Sequence, residues 1–183
     1  MKAYFALQIT LLFSWPCVLN ALLSALLVYG LLRYLEDQGL CSGLRRSGSA
    51  ALAAYLFALL WLLVLGRTGG GMHRAEWRLF WSYRAIAAGR RHLLYLNLSN
   101  VLVFIPVGLM LPWAWPKTGF FRALGFGALF SLFGELLQLA TGKGLFELDD
   151  LFHNTVGTLI GVLLWYGAGD LLQRYREKRR PPG

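Results

Sequence analysis

The sequence predicts an all-α membrane protein, a polytopic bundle of about five transmembrane helices with one amphipathic helix at the membrane surface. Hydrophobic residues make up 57% of the 183 residues and charged residues 15%, against about 25% charged in an average soluble domain. Apolar runs near the roughly 20 residues that span hydrocarbon recur along the chain. The net charge is +9. The basic residues that produce it lie between and after the apolar runs, where they can contact anionic lipid headgroups, so we expect no nucleic-acid partner.

Five apolar runs define the predicted spans, which cover residues 7–32, 49–65, 93–113, 121–140 and 150–172. Pro16 lies near the outer end of the first span or causes a kink, and a glycine cluster at 69–71 ends the second. This pattern predicts three parts. Residues 1–48 form an additional N-terminal helix and loop, 49–173 form the main transmembrane domain, and 174–183 form a basic disordered tail.

The segment from 72 to 92 is polar and aromatic. Its aromatic residues recur at helical spacing and its arginines lie mostly off that stripe, which is typical of an amphipathic helix in the headgroup region. We expect headgroup contacts from Arg74, Arg78 and Arg84. Two interpretations remain open: plain membrane anchoring, or binding of the phosphate of a lipid-linked ligand by the guanidinium groups.

Each of the last three spans carries polar side chains at one end. These residues are Asn97, Asn100, Glu135, Gln138, Asp149, Asp150 and Asn154. Because helices joined by short loops alternate in direction, all seven fall on one side of the bilayer. Carboxylates and amides at that depth cost free energy unless they find partners or line a wet cavity. The sequence therefore predicts one polar ligand-binding pocket.

The same residues have simpler interpretations. The amides can link helices by hydrogen bonds alone, and Asp149 and Asp150 can begin a helix, where the dipole favours negative charge. Glu135 is harder to explain in this way, since an ionised carboxylate inside a span must be protonated, paired or hydrated. Gly157 and Gly161 form a small-xxx-small pair that favours close helix packing.

The sequence assigns no catalytic residue and favours a non-enzymatic protein. If the protein is an enzyme, Glu135 is the candidate catalytic residue. His153 follows Asp149 by four residues and could join it at a metal. No HExxH motif or Cys/His cluster supports such a site, so no metal or cofactor is predicted.

Ten of the 18 Lys and Arg residues fall on the side of the C-terminus, which predicts a cytoplasmic C-terminus and a pocket that opens outward.

Three stretches resemble the signatures of the VanZ-like membrane proteins: residues 97–108, 135–138 and 146–157, within a region from about 94 to 164. The resemblance implies a multi-pass protein of the bacterial cytoplasmic membrane. The family is named for a protein that confers low-level resistance to teicoplanin, a glycopeptide acting on cell-wall precursors. Members often have an arginine just before the acidic loop, where this chain has Lys143 and Gly144. They also often have Asn-x-x-Pro-Phe before the first signature, where this chain has 78–82.

Three functional hypotheses follow. The leading one is a non-enzymatic envelope protein whose pocket binds the headgroup of a membrane lipid or a lipid-linked cell-wall precursor, with an effect on glycopeptide resistance. The second is a membrane-embedded acyl- or phosphoryl-transferase or hydrolase acting on a lipid. The third is a ligand-free accessory subunit that packs through Gly157 and Gly161. The sequence identifies no protein partner.

Overall fold

The computed structural model describes residue 10 and residues 14–40, 45–67, 71 and 73–178, with 170–178 as backbone alone. The helices are α1 (Trp15–Asp37), α2 (Arg46–Leu60, continued by a π-helical turn Trp61–Leu65), α3 (Trp81–Ala87), α4 (His92–Ala114), α5 (Phe120–Thr141) and α6 (Leu148–Lys178). Two-residue strands β1 (Ala75–Glu76) and β2 (Phe146–Glu147) pair in parallel. The all-α class is confirmed.

Four helical segments of the described chain are long and apolar enough to cross a membrane: α1, Arg46–Leu65, α4 and α5. The fifth predicted span corresponds to the first part of α6. Pro16 is at the first turn of α1, where its missing N–H is tolerated, so it begins the described helix and does not kink it. Residues 7–9 and 11–13 of the predicted first span lie outside the described residues.

The segment from 72 to 92 is not one amphipathic helix. It contains β1, a turn in which Phe80 adopts the left-handed conformation (φ 63°), and the seven-residue α3. The reason is tertiary: β1 hydrogen-bonds to β2, and the carboxylate of Asp149 binds the backbone N–H groups of Phe80 and Ser82. These contacts fold the segment against the bundle. Residue 72 itself lies outside the described part.

The C-terminal boundary also differs from the sequence prediction. Helix α6 continues to Lys178, so residues 174–178 are helical where a disordered tail is expected. The sequence pattern ends the span at residue 172 because the apolar residues end there, but helical backbone hydrogen bonds can continue past the last apolar residue. Residues 179–183 lie outside the described residues.

Helices α4 and α6 cross in parallel with their backbones in contact. A Cβ atom built on Gly157 would lie 2.2 Å from the carbonyl oxygen of Val101, and one on Gly161 would lie 2.0 Å from that of Ile105. On the opposite side, a Cβ on Gly108 would lie 2.1 Å from the carbonyl oxygen of Thr158. Three glycines therefore permit this approach, which is the geometry that small residues give membrane helices.

Helices α5 and α6 form an antiparallel pair whose contacts follow a regular register. Gly127 faces Thr158, since a Cβ on this glycine would lie 2.2 Å from the threonine hydroxyl oxygen. One turn further along α5, Ser131 accepts a 2.8 Å hydrogen bond from Asn154. The next turn places Glu135 level with Asp150. The register thus brings the polar end of α5 to the polar start of α6.

Candidate functional site

The centre of the candidate site is a group of three carboxyl groups, Glu135, Glu147 and Asp150, here called the acidic cluster. Glu135 is 2% exposed, while Glu147 and Asp150 are half-buried. Glu135 and Asp150 interact electrostatically across the α5–α6 contact. Asn100 of α4 adds its side-chain amide, which interacts favourably with the Asp150 carboxyl group. Side chains from three helices therefore meet at one level.

Glu147 forms the rim of this cluster. Its backbone N–H donates a 3.0 Å hydrogen bond to Oε2 of Glu135, and its own Oε2 accepts one of 3.1 Å from the indole Nε1 of Trp81. Burial, reinforced by the charge of Asp150, raises the pKa of Glu147 to about 7. Since the folded state holds this proton more tightly than the unfolded chain, the resulting stabilisation is present at acidic pH and is lost as the pH rises through about 7.

Arg67 supplies a positive charge that acts on the acidic cluster. It follows the π-helical turn and interacts electrostatically with both Glu135 and Asp150. It forms no ion pair with either within 4.0 Å; the ion pairs of the described residues are Arg46–Glu36 and Arg78–Glu76.

Gly144 leaves the space that Arg67 occupies. A Cβ atom on Gly144 would lie 3.1 Å from Nη1 of Arg67 and 2.3 Å from Oε1 of Gln138. Gln138, a predicted pocket residue, is 3% exposed and lies beside Arg67 at Gly144. The polar pattern of the last three spans does not include Arg67, because this residue lies in the connecting segment after the second span. Its position directly at the end of a predicted span was the available signal.

Asp149 and Asn97 belong to a second, separate network. The Asp149 carboxylate, 0% exposed, accepts hydrogen bonds from the N–H of Phe80, from the N–H of Ser82 (2.9 Å) and from the Ser82 hydroxyl (2.5 Å). Asn97 donates a 3.0 Å hydrogen bond to the same hydroxyl oxygen. These contacts fix α3 to α4 and α6, so they explain both residues by structure alone.

Asn154 lies one turn deeper than Asp150 and is 2% exposed. Its Nδ2 donates to Ser131, but its Oδ1 has no hydrogen-bond partner among the described residues. A buried carbonyl oxygen without a donor is costly, on the order of 1–3 kcal/mol. Asn154 therefore offers an unused acceptor beneath the acidic cluster.

His153 points to the other side of α6. Its Nε2 lies 2.8 Å from the hydroxyl oxygen of Tyr83, and the two rings pack with centroids 5.6 Å apart. This pairing gives the histidine an aromatic partner on the side of α6 that faces α3. Among the described residues, no group of three His, Cys, Asp or Glu side chains has the arrangement of a metal site.

The three arginines expected to contact headgroups are all exposed. Arg78 pairs with Glu76 through its Nε at 2.9 Å and its Nη2 at 2.7 Å. Arg74 and Arg84 project from the segment that packs beside the acidic cluster. Their contacts with lipid stay a prediction.

Together these features define the class of the protein: a polytopic helical membrane protein with a polar centre enclosed at one end of its bundle. The VanZ/LLP1 family model matches residues 52–172, and the chain belongs to the VanZ/LLP1 family. It is 28% identical over 127 residues to Protein VanZ of Enterococcus faecium, an alignment that covers 62% of this chain and 70% of that protein. No solved structure matches the chain. The acidic cluster and Arg67 lie inside the matched region, whereas α1 lies outside it.

Proposed function

We propose that this chain is a VanZ-like protein of the bacterial inner membrane that binds the polar headgroup of a lipid or of a lipid-linked cell-wall precursor. The binding site is the acidic cluster together with Arg67, Asn100 and Gln138. One observation carries the proposal. Two adjacent carboxyl groups, Glu135 and Asp150, lie at the end of an apolar bundle with no cation within 4.0 Å among the described residues.

If this carboxyl pair had only a structural role, its burial without a neutralising cation would cost free energy. Burial of a carboxylate costs on the order of several kcal/mol unless a nearby opposite charge and hydrogen bonds compensate for the lost hydration. Hydrogen bonds between neutral side chains would link the helices at lower cost, as Asn154 and Ser131 do one turn below. Residues that are costly to the fold and meet near a membrane surface are the usual mark of a ligand site.

The effect of binding would reach the cell wall through the ligand. With the C-terminus in the cytoplasm, as the distribution of Lys and Arg predicts, the acidic cluster faces the outer leaflet. A headgroup held there is withdrawn from the surface that a glycopeptide reaches. Membership of the VanZ/LLP1 family supports the link to teicoplanin resistance.

The test replaces each carboxyl group by its amide in a bacterial strain that expresses the chain. We expect Glu135→Gln and Asp150→Asn to weaken binding of co-purified lipid about tenfold, the change that about 1.4 kcal/mol produces, and to restore teicoplanin susceptibility. Asp37→Asn is the matched control, because Asp37 is exposed at the end of α1. If both cluster variants fold normally yet bind lipid and resist the drug like the parent, the proposal is wrong.

A further inference from the structure

We infer that the acidic cluster recognises a primary ammonium group, while Arg67 recognises the phosphate or carboxylate of the same headgroup. The ligand class is therefore a zwitterionic headgroup with a free amine. This inference rests on the proposed function and names the chemistry that the same site selects.

The first argument is charge. Glu135, Glu147 and Asp150 interact with one another electrostatically, and negative charges at short range repel one another. The Arg67 guanidinium attracts Glu135 and Asp150 but lies beyond ion-pair distance of both. A compact cation placed between the carboxyl groups removes this repulsion, which the distant guanidinium does not.

The second argument is a buried acceptor that has no hydrogen-bond donor. Asn154 is 2% exposed and its Oδ1 lacks a donor among the described residues. Because helical side chains lean toward the N-terminus of their helix, this amide leans toward Asp150, one turn earlier in α6. Asp150 and Asn154, one turn apart on α6, and Glu135, which interacts electrostatically with Asp150, thus offer acceptor oxygens from three side chains. A primary ammonium group has three N–H donors, whereas a quaternary ammonium group has none.

The third argument is the position of Arg67. A guanidinium group presents a planar fork of donors that matches phosphate and carboxylate oxygens. Nη1 of Arg67 lies in the space beside Gly144 and next to Gln138, at the rim of the acidic cluster. An anion-binding group and an amine-binding group therefore lie side by side, and an aminophospholipid headgroup carries both of the matching charges.

The experiment measures lipid selectivity of the full chain purified in detergent. An equimolar mixture of phosphatidylethanolamine, phosphatidylcholine and phosphatidylglycerol with identical acyl chains is added, and retained lipid is counted by native mass spectrometry. We expect about tenfold preference for phosphatidylethanolamine over each of the others. Phosphatidylcholine is the decisive comparison, since it has the same charges without N–H donors.

Three variants test the roles of the residues. Asp150→Asn should abolish the preference for phosphatidylethanolamine, and Arg67→Gln should weaken retention of all three lipids. Asp37→Asn, the control, should change neither the preference nor the retention.

The outcomes separate this inference from the proposed function. Equal retention of phosphatidylethanolamine and phosphatidylcholine, lost in Glu135→Gln, overturns the amine specificity and leaves headgroup binding intact. Retention that no cluster variant changes overturns both. Thermal stabilisation by ammonium chloride, with no preference among the lipids, assigns the site to a free cation and likewise overturns the inference. The comparison of lipids on the unmodified chain needs no variant to fold.

Discussion

Gly161→Val is expected to disrupt the helical bundle more than any other single substitution considered for this chain. The new Cβ would lie 2.0 Å from the carbonyl oxygen of Ile105 and 2.9 Å from the Cα of Gly108. Both are backbone atoms of α4 and cannot rotate away, so the helices must separate. Overpacking typically costs about 1–3 kcal/mol, and contact with a rigid backbone places this substitution at the upper end of that range. The measurement is thermal unfolding of the purified variant in detergent, with the folded fraction followed by size-exclusion chromatography.

Gly167→Val provides the matched control. Gly167 lies in the same helix, and a Cβ built there meets no heavy atom within 4 Å. We expect it to change the free energy of unfolding by about 0.5 kcal/mol or less, as most surface substitutions do. Equal melting temperatures for the two variants would show that α4 and α6 do not pack through their backbones.

Asp149→Asn is expected to detach α3 from the bundle while leaving α4, α5 and α6 assembled. The carboxylate accepts hydrogen bonds from two backbone N–H groups and one hydroxyl group, whereas an amide has one acceptor oxygen. At least one buried donor then loses its partner, at a cost of about 1–3 kcal/mol. Hydrogen–deuterium exchange should show faster exchange at the amides of Phe80 and Ser82.

Asp37→Asn again serves as the reference, because it makes the same chemical change at an exposed carboxyl group. Protection of the Phe80 and Ser82 amides that matches the reference variant would contradict this role for Asp149. The comparison also separates the two polar networks, since exchange near Glu135 should stay unchanged.

The predicted and observed helix ends agree closely where local residues are typical of a helix end. The predicted spans 93–113 and 121–140 differ from α4 and α5 by one residue at each end. Local residues set these ends: Gly119 precedes α5, and Gly142, with φ 65°, follows it. Apolar length and adjacent helix-ending residues are therefore sufficient to place these helices.

The segment from 72 to 92 could not be predicted in this way, because distant residues determine its fold. Ala75 pairs with Phe146, and Ser82 hydrogen-bonds to Asp149, 67 positions later in the chain. The helical spacing of the aromatic residues is real, but the hydrogen bonds to α6 and β2 outweigh it. Local periodicity contains no information on such partners.

The candidate site, like the fold, can be predicted from the sequence only in part. Alternating helix direction is enough to predict that the polar ends of α4, α5 and α6 lie together. It does not predict that Asp149 and the adjacent Asp150 serve different networks, because that depends on how α6 is rotated toward its neighbours. The pattern does not include Arg67, because this residue lies just after α2, outside the three spans whose polar residues form the pattern.

The central claim is that carboxyl groups from α5 and α6 meet in one cluster, and a double-mutant cycle tests it most directly. Glu135→Gln, Asp150→Asn and the double variant are compared by their free energies of unfolding at neutral pH. Each single change relieves the same electrostatic repulsion, so the second change should add less than it does alone. We predict a coupling of about 1 kcal/mol or more, whereas additivity within about 0.5 kcal/mol would contradict the cluster.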